Sequence, residues 1–225
     1  MLSIAQSGYA QDTPPAAASA NAQTPNIQSP QAAIPDANSS AAQLETQGDK
    51  LRGDKRYLDA LDYYDAALKK QPSAMLWNKA GMSYLLMQKR DKASKCFDHA
   101  IKLRPDDAVF HYNMASSYFS NHDYPKAAQE YKTAFSLDPD IFRRVSRIGV
   151  MVQASSPEDR AAFSFLVAKL YAEAGDVDHS LEYLRKAMED GYKDIKRVYT
   201  DTEFATLRTD KRFEELMAQR PQAIQ

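Results

Sequence analysis

Small apolar residues recur along the middle of this chain with a long, nearly constant period. Ala60, Ala67 and Pro72 are followed by Ala93, Ala100 and Pro105, then by Ala127, Ala134 and Pro139, in steps of 33 and then 34 residues. A fixed period in this range marks stacked helical units, each too small to bury its apolar face alone. Within one period the pattern splits into two helices. Trp77, Ala80, Gly81 and Tyr84 lie at i, i+3, i+4 and i+7, on one face of a first helix. Ala93, Phe97 and Ala100 mark one side of a second helix. Asp91 is its expected N-cap, and Pro105 ends it by removing a backbone donor.

The neighbouring units fill the same places. The first has Leu44, Gln47, Gly48, Leu51, Ala60, Tyr64, Ala67 and Pro72; the third has His111, Met114, Ala115, Tyr118, Ala127, Tyr131, Ala134 and Pro139. Gly48, Gly81 and Ala115 occupy the slot where paired helices come closest, and Tyr and Phe fill the space beside them. A weaker fourth unit holds Phe165, Leu166, Ala168, Tyr171, Ser180, Leu184 and Ala187, with Gly175-Asp176 at its turn. There Ser164 replaces the first aromatic, and Tyr192 stands where proline would be.

This pattern resembles the tetratricopeptide repeat, with its Trp-x-x-Leu-Gly-x-x-Tyr first helix, Ala-x-x-x-Phe-x-x-Ala second helix and final Pro. The resemblance implies an all-α, right-handed superhelical solenoid of about four helix-turn-helix repeats. Units are expected over 41–73, 74–107, 108–141 and 161–194. Residues 195–225 are expected to be capping helices and a tail, similar to the segment that closes many bacterial proteins of this kind. In that cap, Asp201, Phe204 and Leu207 are echoed by Asp210, Phe213 and Leu216. Each set reads as an Asp-capped short helix with an apolar edge, which a solenoid needs over its last face.

The period breaks over 142–160, where Arg143, Arg144 and Arg147 make the most basic spot of the chain. This insert is expected to be a solvated loop or short helix, or else a docking element for an acidic partner. Pro157, Glu158 and Asp159 then read as the acidic opening of a long helix. Residues 1–40 contain no Lys, Arg or Glu and are rich in Ala, Pro, Ser, Gln and Asn. Such a segment cannot bury enough apolar surface to offset its ordering entropy, so a disordered leader is expected. Gly8-Tyr9-Ala10 places small residues where a signal peptidase cuts, which suggests the end of an export signal and a periplasmic or secreted protein. The alternative is a plain leader on a cytoplasmic one.

Composition narrows the chemistry. With 29 basic and 30 acidic residues in 225, no global field draws the chain to nucleic acid or anionic lipid. No stretch approaches the roughly 20 apolar residues that span a bilayer. The single cysteine, Cys96, reads as an apolar filler, and the four histidines show no paired zinc-ligand spacing. No Gly-rich phosphate loop or Ser/His/Asp set is evident, so neither an enzyme nor a cofactor is expected.

Function therefore rests on the resemblance. It implies a concave groove, lined by the first helices, that holds a peptide segment or partner helix. By register its inward residues are Asn78, Lys79 and Met82 in the second unit, Tyr112, Asn113, Ser116 and Phe119 in the third, and Lys169 in the fourth. Glu45, Thr46, Asp49, Met75, Phe165 and Leu166 extend the same face. Asn113 suits recognition of a peptide backbone, since an amide both donates and accepts. The carboxylate-gripping subclass needs Lys and Asn where Glu45 and Asp49 stand, and another Lys at Val109, so no C-terminal carboxylate clamp is expected. The alternative function is a structural subunit that uses the array for self-association in an envelope complex.

Overall fold

The computed structural model describes residues 34–145 and 156–219. Residues 1–33, Arg147 with its neighbours in 146–155, and 220–225 lie outside the described residues, and so does the candidate cleavage site.

Four helix pairs follow one another: α1 (Ala41–Gly53) with α2 (Tyr57–Lys70), α3 (Ala74–Leu86) with α4 (Arg90–Leu103), α5 (Ala108–Ser120) with α6 (Tyr124–Leu137), and α8 (Pro157–Glu173) with α9 (Val177–Glu189). A short helix, α7 (Ile141–Val145), stands between the third and fourth pairs. Three 3₁₀ turns, Ile195–Tyr199, Thr202–Phe204 and Leu207–Thr209, lead to α10 (Lys211–Gln219). No strand occurs among the described residues. The fold is the all-helical repeat solenoid that the period implied.

Local chemistry sets the helix ends. Ser40 caps α1 in a reciprocal capping box with Gln43, so residues 36–40 form an ordered turn and cap where a disordered leader was expected. Ser73, Asp107, Asp123, Ser156 and Asp176 accept backbone N–H bonds at the starts of α3, α5, α6, α8 and α9. Asp91 does not cap α4. The N-cap there is Lys89, with no side-chain bond, and Asp91 lies one position inside the first turn, where its charge favours the helix dipole. Each first helix closes on a left-handed residue: Lys55 at φ 61°, Gln88 at φ 58°, His122 at φ 58° and Gly175 at φ 77°. The next N–H reaches back to the helix, as from Lys89 to the Tyr84 carbonyl at 2.8 Å. Only the fourth pair uses the residue type that adopts this φ without strain.

Packing within the first three pairs follows the small-residue slots. A Cβ built on Gly48 would lie 2.6 Å from the Tyr64 ring, and one on Gly81 would lie 2.5 Å from Phe97. Tyr64, Phe97 and Tyr131 are fully buried, as are Ala60, Ala93, Ala115 and Ala127. Each buried ring is worth roughly 1.5–3 kcal/mol of apolar transfer.

The break after the third pair is an aromatic junction. Ile141 and Phe142 are buried, and the Phe142 ring meets Tyr112, Tyr131, Phe135, Phe163 and Tyr171 at centroid distances of 5.7–6.2 Å. The insert thus starts in a short helix, one of its expected forms, and Phe142 on that helix plugs the core. Arg143 and Arg144 remain at the surface and pair with Asp140 and Asp138. At the far end, Phe204, Leu207, Phe213 and Leu216 bury their side chains in the same core as α8 and α9, which covers the last pair.

Candidate binding face on the first helices

Two interhelical contacts set α1, α3 and α5 side by side. The Lys79 ammonium on α3 donates to Glu45 Oε1 and Asp49 Oδ2 on α1, each at 2.6 Å. Burial works against the Lys79 charge, but the hydrogen bonds to Asp49 and Glu45 outweigh it, so the ammonium holds its proton more tightly than usual. Asp49 also accepts the Tyr64 hydroxyl at 2.8 Å. Burial, then the Asp49 carboxylate, pushes the Tyr64 phenol well above its ordinary range. The two acids are therefore engaged with Lys79, and Arg52, 4.0 Å from Asp49, supplies the second positive charge that balances them.

Further along, Asn113 Nδ2 on α5 donates to Asn78 Oδ1 on α3 at 2.8 Å, with both residues largely buried. The bond uses one donor hydrogen and one acceptor. Each amide keeps its complementary group, a donor on Asn78 and an acceptor on Asn113. Met82 is half-buried against Leu85, Phe97 and Met114, while Met75 at the rim is 41% exposed. The structure thus brings Asn78, Lys79, Met82 and Asn113 onto one adjoining surface.

Three expected groove residues belong to the core instead. Tyr112 and Phe119 are each 1% exposed, and Ser116 is equally buried. Tyr112 packs edge-on against Tyr131 and Phe142, and Phe119 against Tyr124 and Phe163. The Ser116 hydroxyl donates to the Tyr112 carbonyl at 2.8 Å. The physical reason is that α7 and α8 bring Phe142 and Phe163 onto α5, covering side chains that a regular array would leave open. Lys169 also stands apart, held on α8 by Asp201 at 2.8 Å and Glu203 at 3.1 Å from the cap. Phe165 is buried and stacks on Tyr192 at 4.2 Å, so it too serves the cap joint.

Among the described residues, no group of three or more His, Cys, Asp or Glu is placed to hold a metal ion. No helix among them is long and apolar enough to cross a membrane. Cys96 is buried, and burial, with the Asp65 charge behind it, pushes its thiol up to about 11, which suits a packing role over a reactive one. A cleft of about 450 Å³ lies between α9 and α10, but its walls are charged and its Arg212 is already tied to Asp178 and Asp210.

Paired antiparallel helices of this length, with small residues at each close approach and a polar seam along the first helices, define a helical-repeat protein. Residues 74–107 and 108–141 match the family model of the tetratricopeptide repeat, so the second and third helix pairs are repeats of that kind. Over 103 residues the chain is 26% identical to the small glutamine-rich tetratricopeptide repeat-containing protein 2 of Saccharomyces cerevisiae, a stretch covering 45% of this chain and 28% of that protein. Over 78 residues it is 31% identical to the peroxisomal targeting signal receptor of Candida glabrata, covering 34% of this chain and 13% of that one. The chain thus spans less than a third of the length of these curated relatives. Among solved structures, it is similar to the first tetratricopeptide domain of Spaghetti (RPAP3) bound to the HSP90 peptide SRMEEVD. The TM-score is 0.44 at 19% identity, covering 51% of this chain and 96% of that one.

Proposed function

We propose that this chain is a non-enzymatic adaptor that holds a peptide segment or a helix of a partner protein on the face formed by α1, α3 and α5. The observation that carries the reading is the Asn78–Asn113 pair. It bridges adjacent tetratricopeptide repeats and leaves a donor and an acceptor side by side, a match for a peptide backbone whatever its side chains. Met75 and Met82 beside it are soft and readily repacked, which suits tolerant apolar contact. Because Lys79 is engaged by Glu45 and Asp49, the seam offers no free cation to grip a terminal carboxylate, and the favoured segment is uncharged and internal.

Affinity capture from the native host tests this. Asn113→Ala combined with Met82→Glu abolishes partner capture while leaving helicity by circular dichroism unchanged; undiminished capture by that variant places the site elsewhere. A concentration-dependent rise in mass by light scattering would favour the self-association reading over a monomeric adaptor. We also propose that the adaptor works in the periplasm or outside the cell, from the small residues Gly8 and Ala10. N-terminal sequencing of native protein checks it: cleavage after Ala10 is expected, and an intact Met1 contradicts it.

A further inference from the structure

We propose that Met75 is an oxidation site whose sulfoxide takes the spare hydrogen-bond donor of Asn78. The consequence for a partner rests on the reading of α1, α3 and α5 as a peptide-binding face; the chemistry at Met75 does not.

The thioethers of the chain differ in access. Met75 is 41% exposed at the start of α3, whereas Met114 and Met188 are buried and Met82, Met87 and Met217 are half-buried. Oxidation at sulfur follows exposure, so Met75 is the first target among the described residues. Hydrogen peroxide is a sufficient oxidant. The sulfur lone pair attacks one peroxide oxygen and the O–O bond breaks. The departing hydroxide takes the proton from the oxygen now bound to sulfur and leaves as water. The thioether is thereby oxidised by two electrons to a sulfoxide, and the peroxide is reduced.

The place of Met75 on α3 ties this change to the seam. Met75, Asn78, Lys79 and Met82 lie at i, i+3, i+4 and i+7 of that helix, on one stripe. Helical side chains tilt toward the N-terminus, so that of Asn78 leans over the turn that carries Met75. Asn78 accepts from Asn113 through Oδ1, while its Nδ2 donates to no group among the described residues and still reaches the surface. Lys79, the other neighbour in that turn, is drawn toward α1 by Glu45 and Asp49. The equivalent places on α1 and α5 hold Ala42 and Val109, whose side chains offer a new oxygen no donor.

A thioether sulfur is a weak acceptor, so reduced Met75 leaves the Asn78 amide free for a peptide carbonyl. The sulfoxide oxygen is a polar acceptor one helical turn away and accepts from Asn78 Nδ2. Oxidation also turns the soft apolar rim polar. Both changes act against an uncharged bound segment, and reduction of the sulfoxide reverses them.

Hydrogen peroxide applied to the intact wild-type chain tests this, with peptide-mapping mass spectrometry and two-dimensional NMR of the side-chain amides as readouts. Met75 is expected to gain its oxygen before Met114 and Met188; oxidation of Met75 no earlier than theirs overturns the assignment. An Asn78 Nδ2 proton is expected to move downfield as the sulfoxide forms, and signals that keep their reduced positions overturn the proposed bond. Met75→Leu treated alike is expected to leave those signals in place; the same movement in that variant also overturns it. None of these readouts involves a partner, so they hold or fail separately from the adaptor reading, which affinity capture tests.

Discussion

Helices α1–α6 and helices α7–α10 achieve the same stacked outcome by different means. In the first region the first two pairs each close on one small residue and one ring, Gly48 on Tyr64 and Gly81 on Phe97, and their buried side chains form separate small clusters. In the second, one continuous core runs from α5 through α8 and α9 into α10, and it adds Phe142 and Phe163, which belong to no repeat position, to the repeat aromatics Tyr131 and Tyr171. The regular region repeats one local solution, so its stability is close to a sum of neighbour contacts. The irregular region depends on Phe142, a single side chain touching five other rings.

The largest expected effect therefore falls at the junction. Phe142→Ala leaves a cavity among those rings and should cost about 3–5 kcal/mol. In urea unfolding it should split the transition, with α8–α10 melting first. A single cooperative transition at the parental midpoint would mean the two regions are held alike.

Within the regular region, Gly81→Leu forces atoms into the Phe97 ring and should destabilise by about 1–3 kcal/mol. Pairing it with Phe97→Leu should recover part of the loss, since the neighbour can then give way. If Gly81→Leu melts like the parent, the slot does not set the helix separation.

The cap supplies a smaller, pH-dependent effect. Burial raises the Asp201 carboxyl, but hydrogen bonds and charge from Lys169 and Arg197 outweigh it and hold it below the usual carboxylate range. A carboxylate lowered in the folded state stabilises above its unfolded value, near 3.9, and loses that contribution as pH falls through its folded value. The cap joint should thus weaken below about pH 4, and Asp201→Asn should remove about 1 kcal/mol at neutral pH. An Asp201→Asn melt equal to wild type at pH 7 would show that the ion pairs are incidental.

The smallest change is a gain. Gln88 is exposed and held at φ 58°, where Gly175 serves in the fourth pair. Gln88→Gly should stabilise by roughly 0.5–1 kcal/mol, the relief of left-handed strain less the added unfolded-state entropy. A loss on denaturant titration would show that the Gln88 side chain contributes more than its strain costs.

The same division explains what could be read from the sequence. Wherever the period holds, residue spacing locates the helices and the close approaches, because Gly48, Gly81 and Ala115 answer to neighbours at fixed offsets. Even the Lys79–Glu45 pair is legible in principle, the two lying 34 residues apart, one repeat along the same face. Where the period fails, spacing says nothing about contact. The Arg143-Arg144 charges draw attention to the insert, while its structural content lies in the two apolar residues just before them. Register places Tyr112 and Phe119 correctly on the first-helix face, but it cannot reveal that Phe142 and Phe163 arrive to cover them.

Native-state hydrogen exchange on the wild-type chain and Phe142→Ala tests the two-region account most directly. It predicts that the variant's α8 and α9 amides lose protection by orders of magnitude while those of α3 and α4 keep theirs. Equal loss of protection from α1 through α10 would contradict it, showing one cooperative unit in which the aromatic junction has no separate role.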